Sequence, residues 1–184
     1  CLALAASGYA AFSSVLGARR NDAGLIRSGE NAALFLFVLL SVSMFALWHA
    51  LLTHDFQVEF VASNSNRAMP LLYTISALWG GQSGSILFWS WLLALFGTAV
   101  ILVNRHRYRT LMPYVVATMA GTNLFFVVLN LFESDPFVRL PFTPADGTGL
   151  NPILQHPLMA IHPPLLYLGM VGLSVPFAFA IAAL

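Results

Sequence analysis

Apolar and polar positions fall into long blocks rather than into a fine alternation. Cys1 to Ala18 carries no charge, and a polar segment with Arg19, Arg20, Asp22, Arg27 and Glu30 follows it. Asn31 to Leu52 is a second uncharged block, and Thr53 to Arg67 is a second polar one. Ala68 to Asn104 is again free of charge. A hydrocarbon core of about 30 Å takes about 20 helical residues to cross, so that block is too long for one upright span. Its Gly80-Gly81-Gln82-Ser83-Gly84-Ser85 stretch is the natural break, because glycine pairs disfavour helix interiors. The pattern predicts spans at 1–18, 31–52, 86–103, 110–132 and 163–184. The last is placed by Pro163 and Pro164, which suit a helix first turn, and Pro176 is expected to kink it. Leu71, Leu72, Ile75, Leu78 and Trp79 form one helical stripe, which predicts a short helix lying in the outer interface. The fold class is an all-α integral membrane protein with about five transmembrane helices.

Composition agrees. Of 184 residues, 59% are hydrophobic and 8% charged, and a soluble domain of this size could not hide so much apolar surface. A net charge of +1 and the lack of a long basic run argue against a nucleic-acid partner and leave the lipid bilayer as the obvious surroundings. A single cysteine, Cys1, excludes an internal disulfide and a Cys-x-x-Cys-His haem attachment site within these residues. The sequence opens without Met and stops in an apolar run, so it is expected to be a fragment of a longer product.

Every basic residue is an arginine. Arg19, Arg20 and Arg27 lie in one connection, Arg105, Arg107 and Arg109 in another, and only Arg67 and Arg139 elsewhere. Positive-inside asymmetry puts the first two connections in the cytoplasm. The longer segments 53–85 and 133–162 then face outside, with the amino terminus. They hold Asp55, Glu59, Glu133, Asp135 and Asp146, and long loops are where function concentrates. The predicted spans hold no Asp, Glu or Arg, which argues against a transporter or pump core.

Two outer segments carry candidate chemistry. Trp79, Gly80 and Gly81, with Trp89 and Trp91 beyond them, form a Trp- and Gly-rich entrance to the third span. It reads either as a flat platform for a large planar ligand or, more simply, as an aromatic belt at the lipid headgroups. His162 directly precedes Pro163, which biases it to extended backbone and holds its imidazole at a helix mouth. Imidazole is a standard axial ligand of haem iron, and the plain alternative is an interfacial histidine bonded to water. His156 has a weaker case. His49 reads as an interfacial residue more than as a buried ligand. His54 and His106 lie in polar loops and are expected to be solvated.

The strings His54 to Asn66, Leu78 to Ser85 and Asn151 to Gly172, with His162-Pro163-Pro164-Leu165-Leu166-Tyr167 as the most specific piece, resemble the amino-terminal part of the CcmF/NrfE family of membrane haem lyases. The resemblance runs through the whole chain. It implies cytochrome c maturation in the bacterial inner membrane. Haem b would come from a haem chaperone, and its vinyl groups would be joined to the thiols of an apocytochrome c Cys-x-x-Cys-His motif. Other maturation subunits of the membrane would take part. It implies that His162 ligates haem iron at the outer face and that any structural b-type haem has its ligands outside these residues. Trp79, Gly80, Gly81 and Trp89 stay candidate cofactor contacts on the residue pattern alone. The competing classes are a non-enzymatic haem- or quinone-binding subunit and a structural membrane scaffold.

Overall fold

The computed structural model describes residues 1–184. Eight helices account for most of the chain: α1 (Leu2–Arg20), α2 (Ala23–Leu52), α3 (Glu59–Asn64), α4 (Leu71–Ser76), α5 (Gln82–Asn104), α6 (Met112–Phe132), α7 (Pro157–Gly172) and α8 (Ser174–Ala183). Short 3-10 turns occupy Ala77–Trp79 and Pro152–Leu154. Four helical stretches are long and apolar enough to cross a membrane: α2, α5, α6 and the α7–α8 pair. Helix α1 is long enough but less apolar. It is packed into the bundle against α2 and α6.

The small residues of α1 explain that packing. Ala6, Ser7, Ala10, Ser13, Ser14 and Gly17 are its buried positions and form one stripe. Small side chains let helix backbones approach closely in a membrane, where burial of apolar surface gives no preference for protein over lipid. A Cβ at Gly29 of α2 would run into the Ser14 hydroxyl. The Ser7 hydroxyl donates to the Ala120 carbonyl of α6 at 2.7 Å. On α2, Leu36, Leu40, Met44, Leu47 and Leu51 recur at helical spacing and form the middle of the core.

The chain crosses back and forth, which gathers its connections at two ends. One, the arginine end, holds the α1–α2 and α5–α6 connections. The other, the loop end, holds Cys1, segment 53–81 and segment 133–156. The two loop-end segments are folded onto each other. Glu59 N donates to the Val138 carbonyl at 2.9 Å and Leu140 N to the Gln57 carbonyl at 2.8 Å. Thr148 N donates to the Ala62 carbonyl at 2.8 Å, and Arg67 N to Asp146 Oδ1 at 3.0 Å.

Three sequence expectations are corrected. The polar loop expected at 19–30 is a tight turn at Asn21 and Asp22. Asn21 takes φ 52, and Asp22 caps α2 by accepting from Gly24 N and Leu25 N. Helix α2 therefore starts at Ala23, so Arg27 and Glu30 are helical, and Glu30 is a buried carboxylate. The last span starts at Pro157, with the His156 ring as its N-cap accepting from Leu158 N at 3.2 Å, and Pro163 and Pro164 lie inside the helix. His162 is consequently helical, one full turn inside α7, and not an extended residue at a helix mouth. Lastly, His54 is not simply solvated. It takes φ 53 just past the C-cap of α2, and its Nδ1 is buried without a partner.

Candidate functional site

The break in the long apolar block falls at Gly80 and Gly81. Gly81 is the N-cap of α5, and both glycines have backbone angles open to any residue, with φ −76 and −124. Their smallness serves space, not turning. A Cβ at Gly80 would strike the Leu150 side chain, and one at Gly81 would come within 2.9 Å of Phe60 and of Asn64. Gly84, one turn further on, is tighter still, because its Cβ would overlap the Leu78 carbonyl. These glycines let the 3-10 turn at Ala77–Trp79 and the two folded loops close over the start of α5.

That closure fixes Trp79. Its ring stacks on Phe88 with centroids 5.6 Å apart and planes at 29°. Phe88 continues the stack to Trp91 at 6.1 Å and 15°. Trp89, next along α5, packs edge-on against Tyr167 of α7 at 5.3 Å and tilted against Phe126 of α6 at 5.5 Å. The spacing of Ser85, Phe88, Trp89 and Leu92 along α5 turns one face toward α7.

Two prolines complete the arrangement. Pro164 has no N–H, so the Ala160 carbonyl loses its donor four residues on. The Trp79 indole Nε1 supplies one from outside the helix, at 3.1 Å. A circuit follows. The Trp79 carbonyl accepts from Ser85 Oγ at 3.1 Å, and Ser85 Oγ accepts from the Tyr167 hydroxyl at 3.4 Å. Helix α7 is thereby tied at two levels, to the 3-10 turn through Ala160 and to α5 through Tyr167.

His162 lies on the other side of this helix. Ala160, Pro163, Pro164, Tyr167 and Val171 face the bundle. His162 is exposed, on the face shared with Leu158, Met159, Leu165 and Leu166 at i±3 and i±4. The structure therefore brings Trp79, Gly80, Gly81 and Trp89 together under α7 and sets His162 above it, facing away. The Trp-Gly segment holds the helix that carries the histidine. Phe88 is the part of this support that the residue pattern did not single out, while Trp91, Ser85 and Tyr167 stood in its motifs without this role. Pro164 was the available signal, since a proline inside a helix leaves a carbonyl that needs another donor. His49 is exposed on α2, in keeping with an interfacial role.

Beside the glycines, Glu59, Ser63, Asn64, Gln82, Ser83, Glu133 and Asp135 line an open polar cleft of about 440 Å³ at the loop end. Asp146, at the same end, accepts from the backbone N–H groups of Arg67 and Gly147, and these bonds hold its carboxyl below the usual carboxylate range.

Residues 79–184 match the model of the cytochrome c assembly protein family. The chain belongs to that family. It is 41% identical to the cytochrome c-type biogenesis protein CcmF of Haemophilus influenzae and 44% identical to CycK of Rhizobium meliloti, in each case over its full length. It is 34% identical to NrfE of Haemophilus influenzae. A solved structure entitled cytochrome c heme lyase CcmF superposes with a TM-score of 0.83 at 31% identity, covering 99% of this chain and 28% of the other. The chain spans under a third of the length of these relatives. The family likeness therefore extends over the histidine helix, the tryptophan that ties it, and α5 and α6 beneath.

Proposed function

We propose that this chain is the amino-terminal, haem-presenting part of a bacterial inner-membrane haem lyase that matures cytochrome c, with its loop end and amino terminus outside. Haem b is the substrate, and His162 supplies one axial ligand to its iron. The observation that carries this reading is the exposed imidazole of His162 set in an apolar strip of Leu158, Met159, Leu165 and Leu166. Such a strip suits the apolar face of a macrocycle, and the imidazole suits its iron. The residues here offer that single ligand. Residues outside the chain complete the site.

The chain's own part of the mechanism is positioning. Haem held at its iron presents vinyl groups to the two thiols of an apocytochrome Cys-x-x-Cys-His segment, and each S–H adds across one vinyl C=C bond. Fixing one reactant is worth several kcal/mol when geometry is right. Trp79 and Trp89 contribute by setting where α7 stands, and Gly80 and Gly81 by letting the loops close on them. A haem chaperone delivers the substrate, and other maturation subunits in the membrane bring the apocytochrome.

The test uses the full-length protein. His162→Gly abolishes holocytochrome formation while the protein still inserts, because an exposed histidine adds little to packing. Free imidazole enters the vacated space and restores part of the activity in His162→Gly and none in His162→Leu. Normal maturation by His162→Gly without imidazole refutes the assignment.

A further inference from the structure

The six arginines of the arginine end have separate positions. Arg19 and Arg20 close the last turn of α1, where cations complement the helix dipole. Arg107 lies over the Tyr108 ring at 5.4 Å. Arg27, Arg105 and Arg109, with His106, rim one cleft of about 310 Å³ whose wall is Ala23 and Ile26. Two connections far apart in sequence build it: the start of α2 and the α5–α6 turn.

Glu30 is the acid of this cleft, at 9% exposure, in the field of Arg105, Arg27 and His106. Three guanidinium groups against one carboxylate leave a surplus of two positive charges. The only side-chain hydrogen bond among the rim residues runs from Arg105 Nε to His106 Nε2, at 3.1 Å. Arg27 and Arg109 keep their donors unspent. One turn before Arg105 and His106, the end of α5 shows Leu102 at 59% and Val103 at 74% exposure. A cationic hollow thus stands on an apolar helix wall at the end of a membrane bundle.

We propose that this cleft binds the headgroup phosphate of an anionic phospholipid, whose acyl chains lie along Leu102 and Val103. Guanidinium forks match phosphate oxygens in pairs, and basic hollows between membrane helices suit acidic headgroups. The apolar wall favours a lipid over a soluble anion. The surplus charge favours phosphatidylglycerol over phosphatidylcholine, whose ammonium balances its own phosphate. The inference is independent of the haem reading, because no residue is shared.

The experiment takes the full-length protein, delipidated and reconstituted in phosphatidylcholine bilayers with phosphatidylglycerol added in steps. Native mass spectrometry then counts retained lipids. Wild type retains phosphatidylglycerol preferentially. Arg27→Gln, Arg105→Gln and Arg109→Gln each weaken retention about five-fold, the usual worth of one cation near a lipid surface. Arg107→Gln leaves it unchanged. Glu30→Gln strengthens it, since the surplus rises from two charges to three. That opposite sign separates a lipid site from loss of fold. Equal retention of the two lipids, an Arg107→Gln effect as large as that of Arg105→Gln, or displacement of the lipid by inorganic phosphate overturns the proposal. So does a triple arginine variant that sheds a partner subunit yet keeps its lipid, which marks the cleft as a protein contact.

Discussion

The indole of Trp79 donates, at 3.1 Å, to the Ala160 carbonyl that Pro164 leaves without a helical partner. An orphaned buried carbonyl costs about 1–3 kcal/mol, so the two departures from regular structure compensate each other. Trp79→Phe keeps an aromatic ring against Phe88 and removes the donor. Trp79→Ala removes both. Holocytochrome yield per inserted protein is expected to fall in Trp79→Phe and further in Trp79→Ala. Protein level in the membrane should fall appreciably only in Trp79→Ala. If yield simply follows protein level in both, Trp79 is packing alone.

The glycines rank by what their Cβ would meet. Gly84→Ala faces a backbone carbonyl that cannot step aside. Gly80→Ala faces the end of a leucine side chain, which can turn. Overpacking of this kind typically costs about 1–3 kcal/mol. Gly84→Ala is expected at or above the top of that range and Gly80→Ala near the bottom, read as loss of thermal stability of the purified full-length protein. Gly80→Val should be poorly tolerated. The reverse order would show that the start of α5 is placed differently.

Topology is tested by cysteine labelling in a Cys1→Ser background, which removes the exposed native thiol. Ser63 and Thr143 are exposed positions at the loop end, and Tyr108 is exposed at the arginine end. Cysteines at Ser63 and Thr143 should react with a membrane-impermeant reagent in intact cells, and one at Tyr108 should not. Ser65 and Gly147 would mislead as reporters. Ser65 is fully buried, and a side chain at Gly147 would strike the Ser65 carbonyl.

Asp146 gives the loop end a pH dependence. Its carboxyl titrates below its unfolded value, so its contribution is present above that value and is lost as pH falls through the lowered folded one. Protection of Arg67 N and Gly147 N relative to their intrinsic exchange rates should therefore hold at neutrality and fall only when pH drops below the ordinary carboxylate range. Asp146→Asn should remove that acid transition. An unchanged transition in Asp146→Asn would mean that another group unlocks the loops.

Some of this was legible in the residues and some was not. The glycine break before α5 and the short helix from Leu71 follow from local rules, and both are present. The stretch 19–30 misled because one left-handed Asn21 and one capping Asp22 suffice to turn the chain, so that Arg27 and Glu30 already belong to α2. The start of α7 misled because helix rules count donors within the helix, whereas Ala160 is served by an indole far away in sequence. His162 was readable as a chemical group. Which side of α7 it occupies was not, because that depends on the helix beginning at Pro157 and on Trp79 fixing its rotation.

The adjacent prolines also have a mechanical consequence. Pro163 and Pro164 delete two consecutive rungs of α7, at the carbonyls of Met159 and Ala160. Bending stiffness is lowest where rungs are missing, so a load applied to the loops is not passed down α7 as through a rod. It is taken up at this joint, with the indole of Trp79 as the tether. The first turn and a half of α7 is a lever with a short arm, and the imidazole of His162 rides near its pivot.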